Sequence, residues 1–332
     1  MQKMLNKYFL YWLIFLSIIS CTEKKCREVP KLLGEKPNIE IIRFEDKIEQ
    51  LATQKDALDL INAYPLFSET FMQRSQLPDD SILTNDLLKL AKDPYIDTMY
   101  RDVKNNFADL SWLKTQLEDF YHHVKSHYPD TDVPKVYTMV SGFGTDLFVH
   151  NKVIVIGLEY FLGKDGKYIP PMLPGYILRR LTKEHLVASI AIPVADGHIE
   201  YDILDNSMMN EMIKWGKIYY FLENTLPCTH DSIIAGYTAA ELKEVQEHKA
   251  EIWSHFVEKK LFYETDHFLI KKYCDERPKV LEIGNNCPGR IGRWLGWQVI
   301  KKYAKVSGLS LPAILSEQDA KKIFVKANYK PV

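Results

Sequence analysis

The sequence predicts a mostly helical α+β fold in which a small sheet is followed by a helical bundle. Apolar residues recur at helical spacing on both sides of one short β-rich stretch between Lys135 and Ile156. Within that stretch Val153-Ile154-Val155-Ile156 is a continuous apolar run, as in a strand buried on both faces. The order is helices, strands, helices, and not the strand–helix alternation that builds a doubly wound sheet. Residues 37–332 read as a single domain of this kind, long enough to bury a sizeable core.

Each element follows from local signals. Asn38 to Phe44 alternates Ile39, Ile41 and Arg43 against Glu40, Ile42 and Phe44, the pattern of a first strand. Glu45 to Lys92 is helical in pattern, with breaks at Pro65, Pro78 and Pro94. Leu110, Leu113, Leu117, Phe120, Val124 and Tyr128 share one helical face, and Pro129 ends that run. Lys135 to Val140 and Leu147 to Ile156 are strands, the second with a turn at His150-Asn151. Asp165-Gly166, Pro170-Pro171 and Pro174-Gly175 mark a long loop. Thr182 to Ile192 is helical, and Met208 to Leu226 is apolar nearly all round, so this second helix should be central. Thr238 and Glu241 form a capping box for a helix whose core stripe runs through Leu242, Val245, Ile252, Trp253 and Phe256. Pro288 suits the first turn of a helix to about Val306, and Glu317 to Asn328 gives a last short one.

Composition narrows the function. The formal net charge is −1 and no basic block occurs, which argues against nucleic acid as a partner. The N-terminus reads as a bacterial lipoprotein signal over residues 1–20: Lys3 and Lys7, an apolar Tyr8 to Ile19, then Ser20 before Cys21. The apolar run is too short for a permanent span. Cys21 is therefore the expected lipidation site. Each buried CH₂ of an acyl chain contributes about 0.8 kcal/mol, so several chains anchor a protein to the membrane in the cell envelope. Residues 21–36 read as a flexible stand-off. Of the five cysteines, Cys26 falls in that tether, leaving Cys228, Cys274 and Cys287 either to oxidise in part or to stay buried as thiols. No C-x-x-C spacing and no cofactor motif is present.

The sharpest segment runs from Pro288 to Gln298. Gly289, Gly292 and Gly296 fall on one helical face, at about 1 kcal/mol each relative to Ala, a cost that implies close approach of another backbone. Arg290 and Arg293 stand in the first two turns, where the helix dipole disfavours cations, so they answer either a carboxylate within the chain or another anion. With Trp294 and Trp297 they form a candidate interaction or anion-binding surface. His123 and His127 are spaced like metal ligands, but no Glu follows His123, so they and His122 read as a solvated face. Glu184-His185 misses the H-x-x-E-H pattern because Leu181 stands where its first His belongs. An unconventional metal site would have to draw on His185, His198 and Glu211. No G-x-S-x-G nucleophile motif is found.

The chain resembles the gliding-motility lipoprotein GldB family of Bacteroidetes over essentially its full length. The resemblance lies in the lipobox cysteine, Leu158 to Gly163, Tyr176-Ile177 with Arg180, and Met212 to Lys217 followed by Tyr219 to Leu222. It continues in Gly236-Tyr237-Thr238, Ile252-Trp253 with Phe256, Pro288 to Gln298, and the tail from Asp319 to Pro331. That family is distantly similar to zincin-type zinc peptidases. The resemblance implies a degenerate zincin-like fold, with a small sheet, an active-site helix over Thr182 to Ala195 and a central helix over Ser207 to Leu226. Where a zincin carries H-E-x-x-H, this chain has Val187-Ala188-Ser189-Ile190-Ala191, which cannot ligate zinc, and Trp215-Gly216 replaces a Glu-Gly pair. The expectation is a non-catalytic envelope protein, without cofactor, that docks other envelope or gliding-machinery proteins. The alternatives are a metal-dependent hydrolase and a cell-wall glycan binder using exposed Trp and Tyr.

Overall fold

The computed structural model describes residues 26–28, 32 and 34–331. Its sheet holds β1 (Ile41–Arg43), β2 (Lys135–Met139), β3 (Leu147–Val149) and β4 (Val153–Gly157) in the order β1-β2-β4-β3. β1 and β4 run parallel to β2, whereas β3 pairs antiparallel with β4 through the turn predicted at His150-Asn151. Alternation sorts the side chains: Tyr137, Met139, Val153 and Val155 face one core, and Val136, Ile154 and Ile156 face the other.

The first face is covered by α1 (Glu45–Ile48), α2 (Gln54–Ala63), α3 (Pro65–Thr70) and α4 (Ser81–Lys92). Pro65 sits at the first position of α3 and Pro94 at that of α5 (Pro94–Asn106), where a missing N–H costs nothing. The second face receives α5, α6 (Ser111–His127), α8 (Lys183–Asp196) and α9 (Met208–Thr225), with the short α7 (Gly175–Leu178) leading into α8. Behind them pack α10 (Asp231–Ala235), α11 (Ala239–Glu247), α12 (Lys249–Glu258), α13 (His267–Cys274), α14 (Ile291–Ser307), α15 (Leu311–Leu315) and α16 (Ala320–Ala327). The chain is thus mostly helical α+β, as its pattern predicts.

α9 is the buried centre of the second layer, capped at Ser207, whose side chain accepts from the Asn210 N–H. It crosses α14 at Gly216 and Gly296: a Cβ built on Gly296 would overlap the Met212 carbonyl, and one on Gly216 would sit 2.5 Å from Gly296 backbone atoms. The close backbone approach predicted at the glycines is found at Gly296 and at Gly289, where a Cβ would overlap the Arg277 carbonyl oxygen, while at Gly292 it would meet Cys274 Sγ at 2.6 Å and the Tyr273 carbonyl oxygen at 3.2 Å. Gly289 does not share the helical face of the other two, because α14 starts only at Ile291 and Arg290 before it is left-handed at φ 61°. Pro288 accordingly lies outside the helix, in a bridge with Lys279. The single helix expected after Thr238 is two, broken at His248, though the capping box is present.

Within the expected stand-off, Cys26 and Arg27 are attached to the folded body. Cys26 is disulfide-bonded to Cys228, just past the end of α9, while Cys274 and Cys287 are buried thiols. Arg27 brings the two cysteines together: its N–H donates to Pro227 O at 2.9 Å and its guanidinium to Leu226 O at 3.4 Å. A cation on the last carbonyls of a helix is favoured by the helix dipole. Cys21 and the apolar signal lie outside the described residues. Among the described residues, no helix is long and apolar enough to cross a membrane.

Candidate functional site

Several segments far apart in sequence meet around two arginines. Arg290, left-handed at the head of α14, is buried, and its Nη2 donates to Gly236 O at 2.6 Å. Its Nε lies 3.5 Å from Glu276, and its guanidinium is 5.6 Å from the Tyr237 ring centre. Arg180 donates to both oxygens of Glu276, at 3.1 and 2.8 Å, so one carboxylate serves two guanidinium groups. Gly236 ends α10 at φ 64°; a Cβ there would stand 2.7 Å from Arg290 Nη2 and 2.9 Å from Arg180 Cδ. The Tyr237 hydroxyl donates to Gly289 O at 3.0 Å. Burial, then the neighbouring Arg290, pushes the Arg180 pKa down, with Glu276 opposing.

Arg293, one turn along, is answered by the acid just before Glu276. It lies 3.3 Å from Asp275, donates from Nε to Cys274 O, and stacks 3.6 Å over Trp215, whose indole N–H donates to Glu211 at 2.8 Å. Of the two options left open by the sequence, the structure shows the internal one: Asp275 and Glu276 neutralise Arg293 and Arg290. The candidate surface formed by these arginines with Trp294 and Trp297 is not a surface. All four are buried, with Trp297 fully enclosed and donating to Glu223 at 2.7 Å. Glycines that draw α14 onto α9 necessarily bury the side chains between them.

A polar cleft of about 480 Å³ opens at the N-terminal end of α9. Asp202, Asp205, Glu211 and Asp275 line it opposite Lys214 and Lys271. Asn210 fixes its loop, donating from Nδ2 to Asp202 O at 2.8 Å and to Asp205 O at 2.6 Å. Ile203 in its lining is 77% exposed, and Leu204 and Phe268, adjacent in the chain to lining residues, are 84% and 81% exposed. Four acids against two lysines leave the cleft net negative. Its mixed polar lining and these exposed apolar side chains suit a folded protein surface better than a small anion. A second groove of about 210 Å³ is mostly apolar, lined by Tyr160, Ile169, Leu178 and Leu181.

The alternative ligands do not converge. His185 sits in the first turn of α8, sharing a hydrogen bond with Thr182 Oγ1 at 2.9 Å, and His198 lies just beyond the end of α8. That separation is about 20 Å along a helix. His198 stacks between Tyr128 and Phe221 at 4.1 and 5.7 Å, and Glu211 is held by Trp215. Burial lowers the pKa of both histidines; for His185 Glu184 opposes this, and Arg180, Arg290 and Arg179 add to it. Among the described residues, no three of His, Cys, Asp and Glu gather as a metal would require. The solvated histidine face is corrected in part, since His123 is buried and its Nδ1 lies 2.7 Å from Asp119 O.

Sequence reasoning missed Lys217. It is fully buried on α9, donating to Glu200 O at 2.6 Å, to Leu315 O at 3.2 Å and to Glu317 O, and so caps the end of α15. Burial depresses its pKa to about 8 against the pull of Glu317 and Glu200. The available signal was a lysine on a helix with no polar face.

A family model described as gliding motility protein GldB matches residues 25–331. Neither the curated proteins nor the solved structures give a significant match.

Proposed function

The chain belongs to the gliding motility protein GldB family, and on that premise we propose that it is a non-catalytic, Cys21-acylated lipoprotein of the cell envelope that docks another protein of the gliding machinery, or of the secretion machinery linked to it. The family ties the chain to gliding motility; the docking role is inferred from the site. One observation supports it: in the segment that the zincin resemblance would assign to zinc, Val187-Ala188-Ser189-Ile190-Ala191 or its neighbours, Val187, Ala188, Ile190 and Ala191 are packed into the core. Placing a metal there would require both new ligands and an opened core. The buried cations, by contrast, are each held by named acids or carbonyls, as in a scaffold whose interior is closed.

The cleft beside α9 is the docking surface this reading favours, because exposed Ile203 in its lining, with exposed Leu204 and Phe268 adjacent to lining residues in the chain, offers apolar anchors beside its acids and lysines. Glycan binding through tryptophan finds less support, since none of the described tryptophans is exposed. Two measurements test the proposal. The purified full-length protein should bind no stoichiometric zinc and cleave no peptide; both activities together would sink the non-catalytic reading. Ile203→Glu combined with Leu204→Glu should abolish gliding while acylation and abundance stay normal. Undiminished gliding would remove this cleft as the docking surface.

A further inference from the structure

We propose that the Cys26–Cys228 disulfide fixes which pole of the body faces the membrane, laying the C-terminal end of α9 towards the lipid surface and pointing the polar cleft away from it. The inference rests on acylation of Cys21, as proposed above. Cys228 lies three residues beyond Thr225, the last residue of α9. The attachment there is more than the sulfur bond, because Arg27 also bonds the carbonyls of Leu226 and Pro227 and pairs with Asp231.

Chain length turns this attachment into an orientation. Five residue steps separate Cys21 from Cys26, at most about 18 Å of extended chain. Were the disulfide and the Arg27 contacts both absent, the next firmly buried residue would be Ile39, whose N–H donates to Glu118 at 3.2 Å. That is eighteen steps, or about 60 Å of reach. A folded body of about 300 residues is about 40–50 Å across. A 60 Å leash therefore lets any side meet the bilayer, whereas an 18 Å leash admits only the pole around Cys228. α9 is buried along its length, so its axis passes through the body, and eighteen residues span about 27 Å. The cleft with Ile203 and Leu204 lies at its far end, where a partner approaching from solvent finds it clear of lipid. The bond needs an oxidising compartment, so the orientation is set only after export.

The test uses the full-length acylated chain in vesicles of phosphatidylethanolamine and phosphatidylglycerol. A genetically encoded fluorescent amino acid at position 229 or 204 reports energy transfer to an acceptor in the headgroup plane. The label at 229 should lie at least about 20 Å nearer that plane than the label at 204. Cys26→Ser with Cys228→Ser and Arg27→Ala should close the gap. So should ten Gly/Ser residues inserted between positions 22 and 25, a variant that keeps the disulfide and does not burden folding. Equal distances in the unaltered protein, or a gap that survives the insertion, would overturn the inference. Mass analysis separates the two readings: acyl mass on Cys21 with equal distances removes the orientation alone, and no acyl mass removes the lipoprotein reading with it.

Discussion

The two faces of the sheet are covered by different kinds of packing. On the first face Phe44, Phe67 and Tyr137 stack, with Phe67 centred 4.2 Å from Phe44 and 4.8 Å from Tyr137, and the short helices α1 to α4 close over them. The buried acid Glu45, at the head of α1, reaches past this face: it accepts at 2.8 Å from the hydroxyl of Thr138, which alternates with Tyr137 and Met139, and it pairs with Arg43 at 3.1 Å. The second face carries the larger core, and that core encloses Lys217, Arg290, Arg293 and Glu159. Apolar contact is non-directional and tolerates changes that conserve volume. A buried charge tolerates nothing of the kind, because its partners sit at fixed places and losing one strands the other. The first layer should therefore be the forgiving half of the molecule and the second the exacting half.

Arg290→Met should break the second layer hardest. It leaves Gly236 O without a donor and Glu276 with Arg180 alone. Removing one partner of a buried ion pair costs about 3–5 kcal/mol. A urea midpoint measured beside that of Arg290→Lys reads the effect, and the lysine variant should recover only part, since one ammonium cannot reach both Gly236 O and Glu276. A loss below about 1 kcal/mol, the range of exposed pairs, would erase the contrast between the layers.

Lys217→Met comes next, at about 2–3 kcal/mol near neutral pH, because three carbonyls lose a charged donor. Its pH dependence has a definite sign. Burial lowers the folded pKa to about 8, below the ordinary lysine value of 10.5, so above pH 8 the unfolded chain binds the extra proton. The stability of the native chain relative to the methionine variant should accordingly rise between pH 8 and about 10.5. A flat difference across that window would show that Lys217 is not the titrating group.

The contrast between the layers also explains what the sequence made legible. Period and punctuation are local, so Pro65 and Pro94 start helices, Ser207 and Thr238 cap them, and Val153 to Ile156 form the central strand. Gly296 foretold the close approach of another backbone, which α9 supplies at Met212. The pairing of β1 with β2 was not legible, because Ile41 meets Val136 across six α-helices from both layers. Nor was the arginine centre: Arg180, Gly236, Glu276 and Arg290 come from four separate segments, and charge pattern names no partner at such distance. Cys26 was misread because a charged, Pro-containing stretch resembles a free linker whether or not its cysteine finds a mate.

Phe67→Leu should be milder, below about 1.5 kcal/mol, since leucine keeps most of the volume among Phe44, Phe71 and Tyr137. Phe67→Ala, which opens a cavity, should cost about 3 kcal/mol or more. The ratio between these two, read from thermal midpoints, measures how forgiving the first layer is. Equal losses would mean that this layer too depends on a unique fit.

Glu159→Gln should have the smallest effect near neutrality and is the most discriminating in its shape. Glu159 is buried; its Oε1 accepts from the Ser141 N–H at 2.7 Å, the Ser141 hydroxyl at 2.6 Å and the Phe143 N–H at 3.1 Å. Its Oε2 is buried with no hydrogen-bond partner. Burial raises the carboxyl pKa above 4.5, and the bonds from Ser141 only partly oppose it. The folded chain therefore holds this proton more tightly than the unfolded one. The resulting stability is fully present below pH 4.5 and is lost as pH rises through the folded value. Glutamine keeps the accepting oxygen, offers an NH₂ where Oε2 has no partner, and does not titrate. The native chain should thus lose stability relative to the variant between pH 4.5 and neutrality, ending within about 1 kcal/mol of it. A difference that stays constant with pH would mean that this carboxylate is solvated after all, and the second layer would then hold one buried charge fewer than its geometry requires.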